Sequence, residues 1–145
     1  MKYLSNYTDT NISKALDKAQ AFFAFSDEQV KEGKAKQGLT DDIKLVSLGM
    51  GMICPQDTGK QLLKDIDKAH KDGIAQDIKE NGKEAIIKRE LCNHEAYYIG
   101  EIEQTSDALQ NYPFTVQDIQ EVYQSEVKAR REGKKELNND QSNNK

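Results

Sequence analysis

The sequence predicts a compact, mainly helical α+β domain with one small strand or hairpin element. Three observations carry that expectation. Apolar residues recur at three- and four-residue spacing in several separate segments, as they do on helices with one buried face. A single stretch, Ile43 to Ile53, concentrates residues that favour extended backbone. Finally, only two prolines occur in 145 residues and no Gly- or Pro-rich linker divides them, so residues 1–136 read as one globular domain.

The first helix is expected from Asn11 to Phe25, with Ile12, Ala15, Leu16, Ala19, Phe22 and Phe23 on one face. Ser26-Asp27-Glu28-Gln29 reads as a capping box in which the Ser26 hydroxyl accepts from the Gln29 amide, and Gly33 is the expected stop of the short second helix. In Ile43 to Ile53, Gly49 and Gly51 permit a bulge or a tight reversal, which predicts a short strand or hairpin. After Pro55, Asp57 or Thr58 caps a helix that buries Leu62, Leu63, Ile66 and Ala69 and ends or kinks at Gly73. Ile74 to Glu80 continues as a shorter piece closed by Asn81-Gly82. The next helix, Lys83 to Tyr98, carries Ile87, Leu91, His94 and Tyr98 on one stripe. A short helical turn occupies Ser106 to Tyr112, and Thr115-Val116-Gln117-Asp118 opens the last helix.

The formal charge is −4 and is unevenly spread: residues 126–145 carry +2 and the remainder −6. Between Glu126 and Glu136, Lys128, Arg130, Arg131, Lys134 and Lys135 are candidate contacts for phosphates or an acidic protein surface, the first three above all for nucleic acid. The competing explanation is that cations gather where unpaired carbonyls make a helix C-terminus negative. Residues 137–145 have almost nothing to bury and are expected to form a disordered tail. No apolar run approaches the length of a membrane span, and the first residues lack the apolar core of a secretory signal. Those features predict a cytoplasmic protein without membrane contact, whose Cys54 and Cys92 are free thiols.

Chemistry has two candidate locations. Glu90 and His94 lie four apart on a helix, where a carboxylate orients an imidazole. A Cys54 thiolate near His94 would complete a nucleophile, base and orienting group for a small hydrolase. Against this, Tyr98 stands where the metalloprotease pattern needs its second His, and no cysteine pair has zinc spacing, so no metal and no cofactor are expected. Gly49-Met50-Gly51 lacks the third glycine and the immediate helix of a dinucleotide site. A buried Cys54 ending a core strand, Met50 and Met52 used for packing, and His94 at the core edge are the simpler readings. The aromatic residues point elsewhere. Phe22, Phe23 and Phe25 cannot all face inward from one helix, and Phe25, Tyr97 and Tyr98 are candidate interface anchors.

The segments Phe22-Phe23-Ala24-Phe25-Ser26, Gly49-Met50-Gly51 before Cys54-Pro55, and Glu90-Leu91 with Asn93-His94-Glu95 resemble a family of small uncharacterised proteins encoded by bacteriophages and related mobile elements. The resemblance extends from about Ala15 to Tyr123 and brings no catalytic residue with it. It implies a protein of a bacterial host's cytoplasm that binds, and inhibits or modulates, a host protein or nucleoprotein complex such as a CRISPR-type defence effector. The acidic body would suit a basic nucleic-acid channel. Direct nucleic-acid binding through the basic last helix is the remaining expectation.

Overall fold

The computed structural model describes the backbone of residues 1–143 and side chains as far as residue 137. The chain gathers into two compact units, Met1–Asp77 and Ile78–Lys145. It is mainly helical with a small antiparallel sheet, as the sequence predicts.

In the first unit, α1 spans Leu4–Lys18, β1 Phe22–Phe23, α2 Asp27–Lys36, β2 Leu45–Ser47 and β3 Met52–Pro55, followed by α3, Gln56–Asn81, whose last turn enters the second unit. Helix α1 begins seven residues before the expected Asn11. Its polar first turns hide it from a periodicity count, but Asn6 Oδ1 accepts from the Tyr3 N–H at 2.8 Å and so caps it. The helix closes at Ala19, before the left-handed Gln20 (φ 56°). Two side-chain ties hold the exit: Gln20 Nε2 donates to the Gln37 carbonyl and Gln37 Nε2 to that of Ala21, both at 3.2 Å.

The expected aromatic end of this helix is a strand instead. Phe22 pairs with Ile53 and Phe23 with Met52, and exposure alternates: Phe22 and Ala24 are buried, Phe23 and Phe25 exposed. That period of two places at least one aromatic at the surface, as expected. The predicted hairpin is present. β2 and β3 pair from Leu45↔Pro55 to Ser47↔Ile53, giving the sheet order β1-β3-β2. Its reversal uses three successive left-handed residues, Gly49, Met50 and Gly51, which lifts Met50 into solvent rather than packing it. Cys54 is fully buried at the end of β3 among Ala15, Ala19, Ala21 and Leu62.

Gly82 follows the end of α3, as expected, but neither Gly33 nor Gly73 ends a helix. Gly33 lies inside α2 because the Phe22 ring packs on it: a Cβ there would sit 2.2 Å from that ring. Gly73 lies inside α3, where a Cβ would meet Thr8 at 2.4 Å. Both are sites of close approach, and the helices end where backbone geometry changes beyond them. The Ser26 cap is as predicted, accepting from the Gln29 amide at 3.2 Å. Gln29 Oε1 returns to the Phe25 N–H at 2.7 Å.

The second unit holds α4 (Lys83–Asn93), α5 (Ala96–Ile99), α6 (Glu103–Ala108) and α7 (Val116–Asn143). Its core joins Ile86, Ile87 and Leu91 of α4 with Leu109 and Ile119, all at most 2% exposed, and α4 packs on α5, α6 and α7. The Thr105 hydroxyl, also buried, donates to the Glu90 carbonyl at 3.4 Å. Helix α7 starts as predicted, through a reciprocal box. Thr115 Oγ1 accepts from the Asp118 N–H at 3.0 Å and Asp118 Oδ2 from the Thr115 N–H at 2.9 Å. The segment expected to be a disordered tail is helical in backbone to Asn143; residues 144 and 145 lie outside the described residues.

Two of the helix glycines, Gly33 and Gly133, give opposite expectations on replacement. Gly33→Ala should cost about 1–3 kcal/mol, because overpacking against Phe22 outweighs the gain in helix propensity. Gly133→Ala, where nothing lies within 4 Å of the added Cβ, should stabilise by up to about 1 kcal/mol. Urea unfolding followed by helical circular dichroism reads both, and an unchanged midpoint for Gly33→Ala would contradict the packing argument.

Candidate functional site

The sequence predicts one helix from Lys83 to Tyr98, but the structure breaks it at His94. Glu95 takes a left-handed conformation (φ 52°) and the chain restarts as the single turn α5, closed by Gly100 (φ 83°). This break redistributes the expected stripe. Ile87 and Leu91 remain buried, while Tyr98 is 92% exposed.

Tyr97 turns the other way, onto α7. Its ring stacks on Tyr123 with centroids 5.7 Å apart and an interplanar angle of 8°. The Arg130 guanidinium lies 3.9 Å from the Tyr97 centroid, a close cation–π contact. Burial pushes the Tyr97 phenol up, with the charges of Glu126 and Cys92 adding to it and those of Arg130 and Lys88 opposing. Nearby, Lys88 bridges Glu126 at 2.9 Å and Glu84 at 3.0 Å, which fastens α4 to α7 and pushes the ammonium up to about 12.

Two shallow grooves meet at this stack. One, of about 550 Å³, is lined by Cys92, Glu95, Tyr97, Tyr98 and Arg130. The other, of about 600 Å³, runs along α7 beside Tyr123, Val127, Arg131, Lys134 and Leu137 and shares Tyr97 and Arg130 with the first. Four expected binding residues, Tyr97, Tyr98, Arg130 and Arg131, are therefore on one surface. Phe25 is exposed too but belongs to the first unit, where its ring covers Gly51. Lys128 is exposed on α7, two residues from Arg130 and so turned away from it.

The helix-end explanation for these cations does not apply. Helix α7 continues to Asn143 and its last turn contains no basic residue, whereas the dipole's influence is confined to that turn. Sequence reasoning named Lys134 with the other cations and missed Tyr123 and Val127 as part of the surface. The signal was present: residues 123, 127, 130, 131 and 134 repeat at helical spacing.

The hydrolase constellation is divided. Cys54 lies in the first unit with no exposed surface, and Glu90 and His94 lie in the second. Glu90 Oε1 accepts from Arg89 Nε at 3.0 Å, and its other oxygen is 3.6 Å from His94 Nε2, beyond hydrogen-bond length. His70, the only other histidine of the sequence, is exposed on α3. Among the described residues no three His, Cys, Asp or Glu side chains are grouped to hold a metal ion, and no helix is long and apolar enough to cross a membrane.

A family model, described as a family of unknown function (DUF7659), matches residues 4–132. The chain belongs to this family. The matched segment includes the α4–α5 break, both tyrosines, Arg130 and Arg131, and ends before Lys134. No curated protein and no solved structure matches the chain.

The half-buried phenol has a consequence at alkaline pH. A folded-state pKa raised above its ordinary value of about 10 gives stability that is present below that pH and lost as pH rises through the folded value. Tyr97→Phe has no proton to lose there. The melting temperature of the wild type should fall relative to that of Tyr97→Phe above pH about 10, and parallel profiles for the two proteins would contradict the burial argument.

Proposed function

We propose that this chain is a phage or mobile-element accessory protein that works by binding a host protein or nucleoprotein complex, which it inhibits or modulates. A CRISPR-type defence effector is one example of such a target. The observation that carries the reading is Tyr98, almost wholly exposed beside the Tyr97–Tyr123–Arg130 stack. Tyr and Arg are the residues that concentrate binding energy at interfaces, because each offers a large rigid face with a polar end. The stack fixes Tyr97 and Arg130 before any partner arrives, which lowers the entropy lost on docking. The resemblance of the Phe22–Ser26, Gly49–Pro55 and Glu90–Glu95 segments to phage and mobile-element proteins supports the host context.

Affinity capture from a bacterial host lysate tests this with three baits: wild type, Tyr98→Ala and Phe25→Ser. A stoichiometric partner retained by wild type and Phe25→Ser and lost by Tyr98→Ala is expected. Identical retention by Tyr98→Ala, with its circular dichroism unchanged, would remove this surface from the proposal. Inhibition is read separately. Phage should plate more efficiently on a strain with an active CRISPR effector when the chain is expressed, and no change in plating would exclude that class of target.

A further inference from the structure

We infer that the groove along α7 takes a single strand of nucleic acid, with bases stacking on the tyrosines and phosphates meeting the cations. This deepens the proposal above and rests on its reading of the Tyr97–Tyr98 surface as a binding face. The charge of the groove chooses the occupant. Its cations are Arg130, Arg131 and Lys134, and no carboxylate lines it, although the chain as a whole is acidic and Glu95 lines the adjoining groove that holds Tyr98. Arg131 and Lys134 are three residues apart on α7 and project in the same direction, so they form a short cationic edge rather than a point charge.

Aromatic placement adds the second requirement. Tyr98 presents a free ring face in the adjoining groove, and Tyr97 with Arg130 forms the wall that the two grooves share. A cationic track beside exposed aromatic faces is the combination by which proteins hold unpaired strands with little regard to sequence. The grooves are shallow and open along the helix, which suits an extended chain better than an enclosed small molecule. A duplex keeps its bases stacked on one another and has none to offer Tyr98. A peptide of acidic residues alone satisfies the cations but leaves the tyrosine face unused.

Fluorescence anisotropy with a labelled single-stranded DNA of about 12 nucleotides, and its RNA equivalent, tests the inference on the full-length chain. Either strand should bind, with a slope of log K against log salt of about −2 for three neutralised phosphates. Tyr98→Ala should weaken binding about tenfold while Tyr98→Phe keeps it, and Lys134→Ala should flatten the slope by about 0.7. A duplex of the same length and a poly-glutamate of the same charge serve as rivals. Binding of poly-glutamate that matches the strand and ignores Tyr98→Ala would overturn the inference in favour of an acidic protein. No binding of either strand would also overturn it. If lysate capture still depends on Tyr98 in that case, the interface stands and only its occupant changes. If capture is independent of Tyr98 as well, both readings fail together.

Discussion

The second unit depends on how α4 ends. A continuous helix from Lys83 to Tyr98 would keep Tyr98 on the stripe of Ile87 and Leu91, in the core, and would point Tyr97 about 100° away from it. The left-handed Glu95 prevents this at a cost of about 1–2 kcal/mol for a non-glycine residue. What offsets that cost is the packing that the turn permits: Ala96 becomes buried, and Tyr97 reaches the face of Tyr123. Arg130, two helical turns beyond Tyr123, then covers Tyr97. One backbone conformation thus decides which tyrosine is held and which is free.

In the first unit the comparable constraint is the approach of Phe22 to Gly33. The ring fits only because α2 has no Cβ at that position, and its seat brings β1 alongside β3. Once β1 is fixed, the alternation along the strand sends Phe23 and Phe25 outward, and Phe25 closes over Gly51 in the hairpin. The hairpin in turn carries Cys54 into the core, where its thiol packs as a small apolar group. The same geometry that makes Cys54 a good core residue seals its sulfur from solvent.

Much of this was legible in the sequence where local chemistry decides the outcome. Ser26, Thr115 and the glycines around Met50 each act within a few residues of themselves, and each sits in the structure as its type requires. Errors arose where a distant residue decides. Gly33 and Gly73 look like helix stops until Phe22 and Thr8 are seen against them. Phe22 and Phe23 continue a helical spacing from α1, yet strand pairing with Ile53 and Met52 overrides it. The site was half legible. Tyr97, Tyr98, Arg130 and Arg131 stand out by residue type, whereas the contribution of Tyr123 depends on the break at Glu95, which nothing in the local residue pattern announces.

The cations of the second unit separate what folding requires from what it leaves over. Lys83 and Lys88 are used by the fold: each pairs with a carboxylate on α7, Asp118 and Glu126, across the α4–α7 seam. Arg130 is partly used, since its guanidinium rests on Tyr97 while its charge still faces solvent. Arg131 and Lys134 line an open groove well before the helix end, where neither the macrodipole nor burial calls for a positive charge. In a chain whose net charge is −4, cations set along one aromatic groove without an intervening carboxylate are poorly explained by solubility, which either sign of charge would serve. They fit the phosphates of the strand that we propose for this groove.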